Sequence, residues 1–333
     1  MTSFLRMRRT GPDIERLARE LMRQLRGKRS QLALSKHLGY ASNVCQSWEL
    51  GKRYPKASDF FLVAHKAQVP LASGVASFLQ HHTHWIRASN VTSPQAVQAL
   101  LRDLRGDRGI RELGTSAGAG RVTLSRWLKG EGEPRLPDLL RLVEAATHRL
   151  LEFVSIFAPP GQLSSTRADW QNLELQRELA YELPLSHVVL RALELQSYQT
   201  CKVHREGFLA HLLGISLDDE CRYLSALRRA KQIEKRGGLW RVSRVLTVDT
   251  RRDPSANHRL KQYWARLGAE RALEDRDGIF CYNLFTVSEA DYAKLRDMQL
   301  AYFEQLRAVV ARSEPADRVV VTNLQLFSLS RAP

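Results

Sequence analysis

Apolar and polar positions are most sharply ordered between Ser30 and Pro55, SQLALSKHLGYASNVCQSWELGKRYP. Leu34 and Leu38, four residues apart, give a first short helix one apolar face. Ser30 stands where an N-cap is wanted, and Gly39 follows at once, suited to leaving a helix with φ > 0. A second helix is predicted from about Ser42 to Leu50, with Val44, Cys45 and Trp48 available for burial. Ser42, Asn43, Gln46 and Ser47 form its outer face, Gly51 closes it, and Lys52, Arg53 and Pro55 lead out.

The pattern returns from Ser93. Pro94 to Arg105 repeats an opening helix, Gly109 to Ala117 a second, Arg121 to Lys129 a third, and Leu136 to Leu151 supplies one or two more. Setting Trp127 on Trp48 places Gly118 on Gly39 and Gly130 on Gly51. Arg121, Val122, Ser125 and Arg126 then occupy the places of Ser42, Asn43, Gln46 and Ser47, and Leu128 stands where the first copy has Glu49. Gly114, Gly118 and Gly120 crowd the second turn, and a helix-interior Gly costs up to ~1 kcal/mol against Ala.

After a turn-rich connector at Ala158 to Ser165, Trp170 to Gln196 is predicted helical with a break near Pro184. His204 to Leu213 and Leu217 to Ala230 form a third helical pair around Gly214-Ile215-Ser216. Two strand-like runs follow, Ile233 to Lys235 and Leu239 to Val242, joined by Arg236-Gly237-Gly238 in the layout of a winged helix. Asp218, Asp219 and Glu220 open its second helix, where they complement the dipole but would repel phosphate. The unit reads as structural or dimerising; Arg228, Arg229, Lys231, Lys235 and Arg236 are the side chains through which it would otherwise meet DNA. In the tail, Gly278 to Val287 and Arg318 to Leu329 are strand-like. Between them a long helix starts at Ser288 with Asp291 in a capping box and carries Tyr292, Leu295, Tyr302, Phe303, Leu306 and Val310 on one face.

Charge adds direction to this layout. The 333-residue chain carries net +16 with pI about 10.1. Residues 1–160 hold 25 Lys and Arg against 13 Asp and Glu, net +12; residues 161–333 hold 26 against 22, net +4. The excess therefore lies on the half with the duplicated helices, as a phosphate-binding half requires, although RNA, acidic membranes and acidic proteins attract the same charge. The basic arm with Arg6, Arg8 and Arg9 reads equally as a groove-tracking segment or a frayed terminus. Cys45, Cys201, Cys221 and Cys281 form no C-x-x-C pair, which suits a reduced, cytoplasmic protein. No signal peptide or membrane-length apolar run is present in the sequence. His81, His82 and His84 beside Trp85, and Cys201 with His204 and Cys221, have poor metal spacing. No metal, cofactor or catalytic motif is expected, and Asp249, Asp253, Glu274, Asp275 and Asp277 read as solvated loops and helix ends.

The pattern S-Q-x-x-L-S-x-x-L-G, six residues, then Q-S-W-E-x-G-K-R-x-P resembles the helix-turn-helix of the lambda-repressor-like (Xre/Cro) family. R-V-T-L-S-R-W-L-K-G-E-G-E-P resembles a second copy of the same domain. The family implies five short helices per domain: in the first copy Asp13 to Arg26 would be the first, Asp59 to Gln68 the fourth, and the fifth would lie near Val75 to Leu79. It implies that Gln31, Ser42, Asn43, Gln46 and Ser47 face the major groove, where amide side chains can pair with adenine edges. Lys52, Arg53 and Lys129 join the interface, and Arg121, Val122, Ser125 and Arg126 occupy the equivalent face, arginine suiting guanine or phosphate. Asn283 to Ser288 (N-L-F-T-V-S) and Thr322 to Leu329 (T-N-L-Q-L-F-S-L) resemble an uncharacterised C-terminal domain attached to some bacterial regulators of that family.

The expectation is a mainly α protein with a C-terminal α+β part. Its domains would be 1–80 and 88–158 (lambda-repressor-like), 165–248 (winged-helix-like) and 249–333 (a small β-α-β domain for dimerisation or sensing). The function expected is sequence-specific regulation of transcription on double-stranded DNA, as a homodimer, with a small ligand, peptide or protein as effector at the C-terminal half. The second copy reads either as a second base reader or as a packing or dimerisation module. An antitoxin-like or adaptor protein that binds a partner protein and regulates its own gene is the alternative, with RNA binding a third.

Overall fold

The computed structural model describes residues 12–79, 85–86, 90–243, 248–274, 277–310 and 313–330. The basic arm, the three histidines at 81, 82 and 84, and Asp275 lie outside them. The described residues are mainly helical, and their single sheet is a two-stranded hairpin. No helix among them is long and apolar enough to cross a membrane. Contacts divide the chain into two units, one ending its main stretch at Leu175 and the other starting at Gln176.

Helix α1 (Ile14–Arg26) starts where Asp13 accepts the Arg16 amide hydrogen, and it buries Leu17, Ala18, Leu21, Met22 and Leu25 in the stripe of an amphipathic helix. Helices α2 (Gln31–His37), α3 (Val44–Glu49), α4 (Ala57–Lys66) and α5 (Leu71–Leu79) follow. The second set is α6 (Pro94–Arg105), α7 (Ile110–Ala117), α8 (Arg121–Lys129), α9 (Leu136–Thr147) and α10 (Leu150–Ser155). One shift of 79 positions aligns the sets from Leu17 to Ala158. It pairs the buried stripe of α1 with Ala96, Val97, Leu100, Leu101 and Leu104 of α6. It also pairs Gly39 with Gly118 and Gly51 with Gly130, all four at positive φ, which is why those turns take glycine. Helix α3 begins at Val44 and not at Ser42, because the Asn43 side chain accepts the Gln46 amide hydrogen and takes the cap. Helix α4 likewise starts two residues before Asp59.

The two sets share one continuous core, from Leu17 through Phe60, Phe61, Phe78, Leu100 and Leu139 to Phe157 and Leu163. Their main-chain and helix-packing contacts are reciprocal. Lys56 and Arg135, equivalent under the shift, form an antiparallel bridge. The Ala57 amide donates to Pro134 O at 3.0 Å, and the Leu136 amide donates to Pro55 O at 2.9 Å. Helix α1 packs on α9 as α6 packs on α4, and α5 meets its own equivalent, α10. At that last contact Gly74 is required by space: a Cβ would lie 2.6 Å from Ile156 Cγ2.

The second unit takes in the C-terminal end of α11 (Arg167–Glu182), then α12 (Ser186–Ala192), α13 (Gln196–Gln199), α14 (Phe208–Leu213) and α15 (Leu217–Arg229). Strands β1 (Ile233–Arg236) and β2 (Leu239–Val242) then pair antiparallel, Ile233 opposite Val242 and Arg236 opposite Leu239. The hairpin is tied down by Tyr198, whose hydroxyl accepts from the Trp240 amide at 3.0 Å and lies 3.2 Å from His204 Nδ1. Helices α16 (Pro254–Glu274) and α17 (Glu289–Val310) follow.

The tail differs from expectation. Residues 279–288 and 318–328 form no strand, although both carry β-prone sequence. Ile279, Tyr282, Leu284, Val320 and Leu329 are exposed there. A strand exists only with a hydrogen-bonded neighbour, which local composition does not provide. The expected face of α17 is also partial: Tyr292, Leu295, Phe303 and Leu306 are half-buried, while Tyr302 and Val310 are exposed.

Candidate nucleic-acid interface

Helix α3 is held to its scaffold by Glu49. This carboxylate is buried, receives Arg26 Nε at 2.5 Å and Gln31 Nε2 at 2.8 Å, and its backbone carbonyl accepts Arg23 Nη2 at 2.9 Å. The Glu49 hydrogen bond raises the pKa of Arg26, so that guanidinium stays charged. Ser35 bridges the two helices of the turn, its hydroxyl donating to Gln31 O and accepting from the Cys45 amide at 3.1 Å. Tyr40 packs edge-on against Trp48 with centroids 5.8 Å apart and donates to Asp59 at 3.0 Å. Burial, aided by Asp59, pushes the Tyr40 phenol up to about 12. Burial also raises the Cys45 thiol, which keeps it protonated.

On this support the expected reading side chains take different places. Ser42 and Gln46 are exposed; Asn43 and Ser47 are half-buried. Asn43 Oδ1 is committed to the helix cap and lies 3.3 Å from the Ser35 hydroxyl, which weakens the bidentate adenine pairing that needs both ends of the amide. Gln31 is half-buried and spends its amide donor on Glu49. Lys52 and Arg53 are exposed just past the helix, their amides bonded to Ser47 O. Gln46 is therefore the amide best placed to meet a base edge.

The second copy repeats the backbone with other side chains. Arg102 donates to Leu128 O as Arg23 does to Glu49 O, and Arg105 to Arg108 O as Arg26 does to Arg29 O. Gly114 stands at the Ser35 position, where a Cβ would meet Ala119 O at 2.8 Å, so α7 and α8 close on each other without a hydroxyl bridge. Arg121, Arg126 and Lys129 are exposed, Val122 is 73% exposed and Ser125 is half-buried. Arg121 is the first residue of α8, whereas Ser42 precedes α3, because Gly120 and Asn43 cap two residues apart in the aligned frame.

Three arginines missing from the sequence expectation line α1. Arg16, Arg19 and Arg23, with Asp13, Glu20 and Ser164, surround an open cleft of about 450 Å³. Arg19 lies over Gly51 at the exit of α3, its Cδ 3.0 Å from where a Cβ would stand. Glu20 accepts from Arg16 and from Ser164 and Ser165; burial would raise its carboxyl, but these hydrogen bonds outweigh it and hold the pKa low. The signal for this row was the i, i+3, i+7 spacing of arginine, hidden in a generally basic stretch.

In the second unit the acidic start of α15 is less repellent than its sequence implies. Glu220 is buried, accepts the Ala210 amide at 2.6 Å and lies 3.4 Å from His204 Nε2. Only Asp218 and Asp219 face outward, and Asp219 pairs with Arg222 at 2.9 Å. Arg228, Arg229, Lys231, Lys235 and Arg236 are all exposed, with Arg236 paired to Glu234 at 2.6 Å. Asp249 was expected in a solvated loop; it forms a largely buried ion pair with Arg149, whose guanidinium also lies over the Phe78 ring at 4.7 Å.

Residues 165–329 match the family described as a domain of unknown function (DUF4423). No curated protein and no solved structure matches the chain. The matched stretch begins after the duplicated helices.

Proposed function

We propose that this protein is a sequence-specific DNA-binding regulator of transcription that reads duplex DNA with α3 and α8. One observation carries this: two copies of one helix-turn-helix backbone each present a short exposed polar helix, supported from behind by arginines that bond its last carbonyls. Lys52, Arg53, Arg121, Arg126 and Lys129 supply salt-dependent attraction to phosphates and, for the arginines of α8, bidentate donors for guanine. Ser42 and Gln46 supply base contacts in the first copy.

The winged-helix-like unit and the tail serve association. Two extended apolar segments with unpaired strand chemistry, residues 279–288 and 318–328, gain partners by pairing with a second copy, which forms the β-α-β arrangement their sequence favours. The same exposed surface favours the alternative, an adaptor whose main ligand is another protein.

Selection from a random duplex pool tests the DNA reading, with wild type, Ser42→Ala/Gln46→Ala and Arg121→Ala/Arg126→Ala. Asn43 is left intact because it caps α3. Enrichment of a site from which each variant loses a different part supports two readers; salt-sensitive binding without enrichment refutes the proposal and favours the adaptor.

A further inference from the structure

We infer that the two copies are locked as an internal two-fold pair, so that one chain reads an inverted repeat with unlike halves; this rests on the DNA reading proposed above. A flexible tandem would accept direct or inverted half-sites at many spacings. The contacts between these copies leave no such freedom. An interface in which residue i meets residue j and j meets i is isologous, the signature of a two-fold. Head-to-tail copies would show one contact without its return.

The main-chain bonds at the bridge and the helix packing between the copies have their return; side-chain bonds such as Arg135 to Tyr54 O and Arg149 to Phe78 O do not, because the two copies differ in side chains. The antiparallel bridge joins Lys56 to its own equivalent Arg135. The flanking hydrogen bonds, Ala57 N to Pro134 O and Leu136 N to Pro55 O, exchange under the 79-residue shift. Helices α1 on α9 and α6 on α4 exchange in the same way, and α5 on α10 maps to itself. A two-fold leaves height along its axis unchanged and reverses direction across it, so α3 and α8 lie at the same level and, in so far as they lie across the axis, run in opposite senses. That is the relation of two inverted half-sites on a duplex.

The reach sets an upper limit on the spacing. Seven residues separate Glu49, the end of α3, from Lys56, and seven separate Leu128 from Arg135. Fully extended they span about 25 Å each, which limits the helix ends to roughly 50 Å and the helix centres to roughly 60 Å. One helical turn of DNA, about 34–36 Å, lies within that reach; two turns, about 70 Å, do not. The halves differ because Ser42 and Gln46 face one and Arg121 and Arg126 the other. The operator is thus palindromic in geometry but not in sequence.

The test uses the full chain in two measurements. Duplexes selected from a random pool are aligned and then rebuilt with the halves inverted, directly repeated, or separated by about 5 extra base pairs. The expected result is an inverted arrangement about 10 base pairs centre to centre, weakened roughly 100-fold or more by the insertion. Direct repeats, tolerance of the insertion, or enrichment of one half alone would overturn the inference while leaving DNA reading intact. No enrichment at all sinks the DNA reading itself. Separately, Lys56→Cys with Arg135→Cys tests the geometry without DNA. The pair lies between the two flanking hydrogen bonds, an antiparallel position with Cα atoms about 4.5 Å apart, inside the disulfide range. Mild oxidation should give an intramolecular disulfide, identified by peptide mapping, with duplex affinity changed less than about 2-fold. Failure to close the disulfide, or a loss above about 10-fold in the closed form alone, overturns the two-fold arrangement as the binding state.

Discussion

The two copies of the duplicated helical unit share a backbone and differ in what holds it. The first uses polar side chains: Ser35 bridges its helices, Glu49 gathers Arg26 and Gln31, and Tyr40 reaches Asp59. The second has Gly114, Leu128 and Ala119 at those places, and replaces hydrogen bonds with close approach and apolar contact. What both retain is the main chain: positive-φ glycines at the turn and at the helix exit, and an arginine on a carbonyl at the end of the third helix. The same backbone geometry is therefore reached by two sets of interactions, which leaves the outward faces free to diverge and, on the DNA reading proposed above, to meet different bases.

The largest expected effect comes from removing the polar anchor. Glu49→Ala strands Arg26 and Gln31 beside a buried site, and should cost about 3 kcal/mol, the low end for a buried pair because Arg26 is partly exposed. Hydrogen exchange should show α2 and α3 opening while α7 and α8 keep their protection. Equal loss of protection in both copies would mean that the anchor serves the whole unit.

Exchanging the turn residues sharpens the contrast at about 2 kcal/mol in each direction. Gly114→Ser places a Cβ 2.8 Å from Ala119 O and must force α7 and α8 apart. Ser35→Gly leaves the buried Cys45 amide without its acceptor and puts a glycine inside α2. Denaturant midpoints of the two variants check this; a neutral Gly114→Ser would show that the second turn has room for the bridge.

The smallest effect is a pH dependence confined to the first copy. The Tyr40 phenol has its folded pKa raised to about 12 from the ordinary 10. Its contribution is complete below pH 10 and is lost as pH rises through 12, because the unfolded chain ionises first. Discounted for the partial exposure of the ring, the loss should be on the order of 1 kcal/mol. Unfolding measured from pH 9 to 12 should show this slope in wild type and not in Tyr40→Phe. An unchanged slope in Tyr40→Phe would assign the alkaline loss to another group.

Much of this was legible along the chain. Ser30 and Ser288 cap helices where the sequence placed caps, and Gly237-Gly238 turns a hairpin where two short strand-like runs flanked it. The duplication was visible because Trp48 and Trp127 bring their glycines into one register. Illegible were the features that join distant residues. Glu49 looks like a surface acid in sequence, yet Arg26, 23 residues away, makes it an anchor. Asp249 looks solvated, yet it pairs with Arg149. Asn43 looks like a base reader, yet its carbonyl oxygen caps a helix and meets Ser35.

Periodicity, capping residues and glycine turns act within one or two helical turns, so they placed the helix pairs around Gly39 and Gly118 and their repetition, while the first, fourth and fifth helices of the first copy came from the family resemblance. The reciprocal bridge at Lys56 and Arg135, the burial of Glu220 and the lack of strand at residues 279–288 and 318–328 depend on which surfaces meet after the helices exist. Side-chain pattern states what a helix will bury but not against which partner. For the duplicated unit, it was the packing of α4 and α9 that turned two copies in sequence into one two-fold pair.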